Sequence, residues 1–109
     1  MKYPLALHAL QLINKGLAIY GEVTPSRTDL RKWLQLGRYQ ETEDGPHRYV
    51  VRSFELLVSD LVHEYDVAGR EENMVRHEFD TLEDALACLD GMQQQPVHWE
   101  SWQETDCPI

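Results

Sequence analysis

The segments LVHEYDV (residues 61–67) and VRHEFDT (residues 75–81) share the pattern His-Glu-aromatic-Asp. In both segments, histidine, aromatic and valine side chains alternate with charged ones, which is the period of two expected of half-buried β-strands. Between the two segments lies AGREENM, whose Gly69 and Asn73 suit a loop. The pattern therefore predicts an antiparallel β-hairpin with its second strand near residues 74–80.

The pairing within this hairpin decides where its side chains point. If Val67 lies opposite Val75, the histidines and aromatic residues share one face of the sheet and the carboxylates share the other. On the carboxylate face, Glu64 then lies opposite Glu78. We expect the other face to line the core; it consists of His63, Tyr65, Val67, Val75, His77 and Phe79.

Outward from the hairpin, apolar residues recur at helical spacing in three segments. They predict helices over residues 4–20, 26–36 and 81–91, and either Asp80 or Thr81 is the expected cap of the third. Two helices thus precede the hairpin and one follows it.

Residues 47–59 are ambiguous, because their apolar residues fit both a helix and a strand, and the helix is slightly favoured. A length of 109 residues corresponds to one domain. The predicted fold class is α+β: a single small domain over residues 1–109 with two N-terminal helices, an antiparallel β-hairpin or small sheet, and a C-terminal helix. A polar tail is expected from about residue 93.

Cysteine content and the N-terminal segment favour a cytoplasmic protein. Cys88 and Cys107 are too few and too far apart for a disulfide framework, so reduced thiols are expected. The apolar run over residues 3–20 is interrupted by polar side chains, which argues against a signal peptide and against a membrane span.

The net charge of −9 is unevenly distributed along the chain. Residues 1–38 carry six basic and two acidic side chains, whereas residues 39–109 carry four basic and seventeen acidic ones. An acidic surface repels nucleic acid and anionic membranes and attracts basic protein surfaces. Acidity also serves solubility alone in many proteins. We expect no direct binding of nucleic acid or membrane.

A metal site is the first chemical function to consider for the repeated pattern. Zinc takes histidine and carboxylate ligands, and His63 and His77 lie on the same predicted face. Neighbouring residues of a strand point to opposite faces, however, so Glu64 and Glu78 do not converge on these histidines. We therefore expect a packed histidine pair, with no metal and no cofactor.

Catalysis has one candidate constellation, the pair Glu64 and Glu78. Two carboxylates facing each other raise the pKa of one of them, as acid–base pairs in active sites do. The other interpretation is an exposed acidic edge that discourages aggregation between strands. The sequence contains neither a nucleophile motif nor a phosphate-binding glycine loop, so no catalytic residue is predicted.

An acidic recognition surface accounts for more of the sequence. We expect a partner to contact acidic residues of three neighbouring stretches, with two tryptophans as aromatic anchors. The alternative for the tryptophans is a C-terminal flap that packs over the core. The predicted binding residues are Glu41, Glu43, Asp44, Glu64, Asp66, Glu71, Glu72, Glu78, Asp80, Trp99 and Trp102.

The segment VRHEFDTLEDALACLDG, residues 75–91, passes from a strand to a capped helix in a small, acidic chain. In size, charge and this segment the protein resembles bacterial immunity proteins that neutralise cognate nuclease toxins, including those of contact-dependent growth inhibition. The resemblance implies a one-to-one complex with a basic toxin domain, an RNase or a DNase, and no catalysis. The alternatives are a small enzyme that uses Glu64 and Glu78, and an acidic adaptor or assembly protein.

Overall fold

A computed structural model describes residues 7–62, 69–92 and 99–101, together with Pro96, Thr105 and Cys107. Within these residues the chain forms three short helices and five strands. In chain order they are α1 (Leu7–Asn14), β1 (Ile19–Val23), β2 (Leu30–Gln40), β3 (His47–Leu57), α2 (Val58–Val62), β4 (Glu72–Phe79), α3 (Leu82–Asp90) and β5 (Glu100–Ser101). The strands form one antiparallel sheet in the order β4-β3-β2-β1-β5.

The predicted fold class, with two N-terminal helices before a hairpin, is wrong because strands make up most of the regular structure. Residues 26–36, predicted as a helix, lead into β2, which is the central strand. Both faces of β2 are covered, so Leu34 and Leu36 are buried on one face and Trp33 on the other. Apolar residues therefore occupy neighbouring positions, and their spacing imitates a helical period.

Residues 47–59, for which a helix was slightly favoured, also form a strand for most of their length. Val51 is buried on the face that α1 and α3 cover, whereas Phe54 and Leu56 are buried on the opposite face. β2 pairs with β3 along the full length of both strands. This pairing with a distant segment selects the strand where the local pattern allows both structures.

The first predicted helix, over residues 4–20, extended too far. Of this range, residues 4–6 lie outside the described residues, and α1 ends at Asn14. Gly16 then adopts a φ of +85°, a left-handed conformation that glycine accepts without strain and that commonly ends helices. Two of the apolar residues that follow, Ile19 and Tyr20, belong to β1, and Ile19 is fully buried.

The predicted hairpin is confirmed only in its second strand, β4. β4 pairs with β3, which the prediction did not include, whereas the predicted partner was the segment 61–67. The first two residues of that segment end α2, and the other five lie outside the described residues. Glu78 consequently lies opposite Val50 rather than Glu64.

The inner face predicted for β4 is also wrong in part. Val75 and His77 are exposed, and only Phe79 packs against the core. Among the described strands, β4 is the last on its side of the sheet. A side chain there has a described neighbouring strand on one side only, so fewer residues cover it.

The C-terminal helix is confirmed as α3. Thr81 is its N-cap, and the hydroxyl oxygen of Thr81 accepts a hydrogen bond from the Asp84 backbone N–H at 3.2 Å. Leu86 and Leu89 are buried, as the helical spacing predicted. No helix in the described part of the chain is long and apolar enough to cross a lipid bilayer.

Two hydrophobic clusters lie on opposite faces of the sheet. The larger cluster joins α1 and α3 to β1, β2 and β3, with Ile13, Leu36 and Leu89 at its centre. The smaller cluster contains Trp33 and Phe54, whose ring centroids lie 6.3 Å apart. Burial on both faces fixes the central strands and leaves the turns and β4 accessible.

Candidate functional site

The sheet divides the predicted acidic residues into two groups at opposite ends of β4. Glu71 and Glu72 lie at its start, next to the end of β3. Glu78 and Asp80 lie at its other end, next to the turn between β2 and β3. A strand of eight residues separates the groups by roughly 25 Å. We call the second group and the turn the acidic end: Glu41, Glu43, Asp44, Glu78 and Asp80.

The turn between β2 and β3 presents three of these carboxylates. The Gly45 backbone N–H donates a hydrogen bond to the Thr42 carbonyl at 3.1 Å, and Gln40 Nε2 donates to the Gly45 carbonyl at 2.7 Å. Thr42 lies so close to Gly45 that a β-carbon at position 45 would collide with its hydroxyl. This closed turn leaves Glu43 and Asp44 exposed at its tip.

Arg48 joins the turn to the end of β4. Its Nη1 atom donates a hydrogen bond to Glu41 Oε1 at 2.8 Å. Its Nε atom lies 3.2 Å from Asp80 Oδ1 but makes no hydrogen bond of acceptable geometry within the described residues, so this second contact is an ion pair alone. The hydrogen bond to Glu41 is the main cause that raises the pKa of Arg48. Arg48 thus holds Glu41 and Asp80 side by side.

Glu78 is fixed by two donors on the same face of the sheet. The Tyr39 hydroxyl donates to Glu78 Oε1 at 2.7 Å, and Arg76 Nη2 donates to the same oxygen at 3.0 Å. These hydrogen bonds, first that of Tyr39 and then that of Arg76, lower the pKa of Glu78. The bond to Glu78 in turn raises the pKa of the Tyr39 hydroxyl. Glu78 therefore stays ionised, whereas a general acid needs a raised pKa.

The acidic end keeps a negative balance despite its arginines. Five carboxylates surround Arg48 and Arg76, and α3 adds Glu83 and Asp84 in its first turn. The carboxylates of the acidic end are open to solvent: the side chains of Glu41 and Asp80, for example, are 65% and 85% exposed. Such an arrangement accepts hydrogen bonds from arginine or lysine of another protein.

Next to the opposite end of β4 lies a carboxylate of β3 that sequence reasoning missed. Glu55 in β3 is 1% exposed. It accepts hydrogen bonds from the Ser26 backbone N–H at 2.8 Å, from the Ser26 hydroxyl at 2.9 Å and from Asn73 Nδ2 at 2.7 Å. Desolvation raises the pKa of Glu55, but these hydrogen bonds, with Lys32 nearby, outweigh it and hold the pKa below its ordinary value. This carboxylate serves the fold, because it is enclosed.

Two further predicted residues that the structure describes, Trp99 and Glu72, do not join the acidic end. Trp99 is 8% exposed and packs in the larger core cluster, which is the arrangement of the flap alternative. Glu72 lies 3.6 Å from Arg27, at the far end of β4. Three more predicted residues lie outside the described residues: Glu64, Asp66 and Trp102.

Two clefts among the described residues lie away from Glu78 of the predicted acid–base pair. One, of about 350 Å³, lies on the α3 side of the sheet beside Lys32 and Met92. The other, of about 570 Å³, lies between α1 and the start of α3. Glu78 lines neither, and His63 of the predicted histidine pair lies outside the described residues. Within the part of the chain that is described, no three histidine, cysteine or acidic side chains stand close enough to hold a metal ion.

The residues that organise the acidic end were not assigned from the sequence. Tyr39 and Arg48 are cross-strand neighbours in the β2–β3 hairpin. The Asp-Gly-Pro turn signal at residues 44–46 was the available clue, since two strands that flank a turn bring such residues together. The ambiguity of residues 47–59 concealed that hairpin.

No protein-family model matches the chain, and no curated protein or solved structure matches it. The geometry and the charge of the acidic end are therefore the grounds on which a function rests.

Proposed function

We propose that this protein is an immunity-type inhibitor that binds a basic nuclease toxin domain, an RNase or a DNase, through the acidic end. The observation that carries the proposal is the meeting of Glu41, Glu43, Asp44, Glu78 and Asp80 at one end of the sheet, where Arg48 contacts Glu41 and Asp80. Two separate stretches of sequence, residues 41–44 and 78–80, contribute to this group. We also propose that the protein acts in the cytoplasm and that it binds one toxin domain in a one-to-one complex.

Electrostatic attraction supplies the first step of binding. A basic toxin domain is drawn to the acidic end before contact, and this attraction speeds association most at low ionic strength. Glu43 and Asp44 stand at the tip of the turn and meet the toxin first. Because the Debye length is about 8 Å at physiological ionic strength, added salt weakens this step.

Complementary hydrogen bonding supplies the second step. Carboxylates accept paired hydrogen bonds from arginine, in the geometry that arginine otherwise uses for phosphate. The acidic end would thus occupy the place of the nucleic acid backbone on a nuclease. Hydrogen bonds from Tyr39 and Arg76 hold Glu78 in place before the toxin arrives, which reduces the ordering that binding requires.

An interface of ordinary size covers about 800 Å² on each partner. The acidic end would form the centre of such an interface, and neighbouring residues would form the rest. Glu71 and Glu72 lie at the other end of β4 and fall outside that centre. The proposal therefore narrows the predicted surface to one of its two groups. It assigns no catalytic step to this chain.

The test compares two triple charge reversals of equal size. The first replaces the turn: Glu41→Lys, Glu43→Lys and Asp44→Lys. The matched control reverses three acidic residues away from the acidic end: Glu71→Lys, Glu72→Lys and Asp90→Lys. Each variant is produced with the protein encoded by the neighbouring gene, and both growth protection and the association rate are measured at low and high salt.

We expect the turn variant to lose protection and to associate far more slowly at low salt, whereas the control keeps both. Equal losses would mean that net charge alone matters, and unchanged protection by the turn variant would remove the acidic end from the mechanism. A neighbouring-gene product that is not toxic, or that does not bind, would remove the immunity function. An adaptor would then be the better description if binding occurred without any toxicity to relieve.

A further inference from the structure

The open edge of β4 is a second surface, and it shares Glu78 with the acidic end. β4 pairs with β3 on one side, and no described strand lies on its other side. The side chains of residues 73–78 are exposed on both faces of this strand. They include Met74 at 41% and Val75 at 45% exposure, which are large apolar side chains in contact with water.

An exposed strand edge offers unpaired backbone N–H and C=O groups to another strand. The regular part of this edge is short, because the pairing with β3 shifts between Ser53 and Glu55. Beside that irregularity, Asn73 adopts a φ of +54°, which breaks the extended conformation. A second strand can therefore add only along residues 74–79.

We propose that the strand that adds to this edge is β4 of a second copy of the chain, antiparallel and centred on His77. Two antiparallel copies are related by a two-fold axis perpendicular to the sheet, so both keep the same face upward. Each residue of one copy is then paired with a residue of the other copy whose side chain lies on the same face of the sheet. The possible centres are consequently single residues of β4, and each centre fixes every other pair.

A centre at Met74 would draw Glu72 and the irregular Asn73 into the pairing, and among the centres at residues 75–78 charge selects one. A centre at Arg76 places two arginines opposite each other, and a centre at Glu78 does the same with two glutamates. A centre at Val75 places Glu72 opposite Glu78 of the second copy and draws the irregular Asn73 into the pairing. A centre at His77 places Arg76 opposite Glu78 of the second copy, twice by symmetry. Opposite charges at directly paired positions stabilise a sheet, and like charges destabilise it.

The existing neighbours of Arg76 strengthen this choice. Within the chain, Arg76 is paired across the sheet with Arg52, which is a like charge. Its only close carboxylate contact among the described residues is Glu78, two positions along the same strand, at 3.0 Å. Arg76 and Arg52 are thus two positive charges with one close carboxylate of β4. A carboxylate of a second copy on the open side of Arg76 would supply a second negative charge.

The other face of the strand is complementary to itself in the same register. Val75 lies opposite Phe79 of the second copy, so its exposed side chain gains an aromatic neighbour. His77 lies on the axis opposite its own counterpart, and its ring centroid is 6.4 Å from that of Phe79 in the same chain. The two sheets would join into one, with the turn at residues 41–46 still open at the ends of the strands.

The proposal is tested by charge reversal at the two paired positions. Sedimentation velocity is run from low micromolar to near-millimolar protein on the wild-type chain, on Arg76→Glu, on Glu78→Arg and on the double variant with both changes. The side chains at these positions are 52% and 41% exposed, so folding should survive, and circular dichroism verifies this. Glu83→Arg, on α3 and away from the edge, is the control.

We expect the wild-type chain and the control to dimerise as concentration rises, and each single variant to dimerise roughly tenfold more weakly because like charges meet twice. The double variant restores opposite charges and should dimerise again. An equimolar mixture of the two single variants should form mixed dimers, since all four charges are then paired. A wild-type chain that stays monomeric, single variants that dimerise normally, or a mixture that does not associate would each overturn the proposal.

Discussion

Glu55 and Glu78 are both hydrogen-bonded carboxylates with lowered pKa values, yet they stand at opposite ends of the same strand pair. Glu55 is 1% exposed and accepts every hydrogen bond from its own chain. The side chain of Glu78 is 41% exposed, and the acidic residues around it face solvent. The carboxylate at one end of the sheet is thus enclosed by the fold, whereas the carboxylates at the other end are exposed to solvent.

The difference lies in what each environment does to a carboxylate. A buried charge loses its hydration, so the fold must replace water with donors of its own. Ser26 and Asn73 do this for Glu55, and they tie the loop after β1 and the start of β4 to β3. An exposed carboxylate keeps its water until a partner displaces it. We therefore expect changes at Glu55 to alter stability and changes at the acidic end to alter binding.

The largest expected effect is that of Glu55→Gln on stability. The amide keeps the shape of the side chain but turns an –NH₂ group toward Ser26 or Asn73, where a donor faces another donor. We expect the free energy of unfolding to fall by about 2–3 kcal/mol, the cost of breaking hydrogen bonds to a buried charged group. Urea denaturation measures it, with Glu41→Gln as the exposed control. Equal stability of the two variants would refute the contrast between the ends.

Acid pH should produce the next effect through the same residue. The pKa of Glu55 in the folded chain lies below its ordinary value, so the unfolded chain takes up the proton first as pH falls. The contribution of Glu55 is complete above the unfolded pKa of about 4.3, and it is lost as pH falls from there through the lowered pKa of the folded state.

Urea denaturation at a series of pH values between neutral and strongly acidic measures this loss. The free energy of unfolding of Glu55→Gln should depend less on pH across that window than the wild-type value does. Parallel curves for the two proteins would mean that other carboxylates govern the acid sensitivity.

Two substitutions of Asn73 separate the contribution of its hydrogen bond to Glu55 from that of its backbone conformation. Its Nδ2 atom donates to Glu55 at 2.7 Å, and its φ of +54° is a conformation that alanine resists and glycine accepts. We expect Asn73→Ala to destabilise by about 2 kcal/mol and Asn73→Gly by about 1 kcal/mol, because glycine loses only the hydrogen bond. Thermal unfolding of both variants measures the difference. A glycine variant less stable than the alanine variant would exclude backbone strain as a component.

Sequence reasoning succeeded where a single covered face controls the pattern. α3 is apolar on one side and capped by Thr81, so its position followed from local signals. β2 and β3 are covered on both faces, and Trp33 next to Leu34 erased the alternation that identifies a strand. Only the pairing of β2 with β3, between distant residues, resolves that ambiguity.

The candidate site was predictable in part for the same reason. Glu41, Glu43 and Asp44 adjoin a recognisable turn, and Glu78 lies in a recognisable strand. Their meeting depends on β4 pairing with β3, which the hairpin hypothesis replaced with another partner. Glu55 stood within the apolar run of β3 without a local sign of its donors, because Ser26 and Asn73 are distant in sequence.

The smallest expected effect is that of the turn reversal on stability. Glu41→Lys, Glu43→Lys and Asp44→Lys together remove the hydrogen bond from Arg48 to Glu41, which is an exposed contact that contributes little. They also reduce the net negative charge of a chain that starts at −9, and this relieves repulsion. We expect the urea midpoint to remain near the wild-type value at both low and high salt, although toxin binding is lost. A loss of stability comparable to that of Glu55→Gln would show that the acidic end supports the fold as the enclosed end does, and a separate role in binding would then have no structural basis.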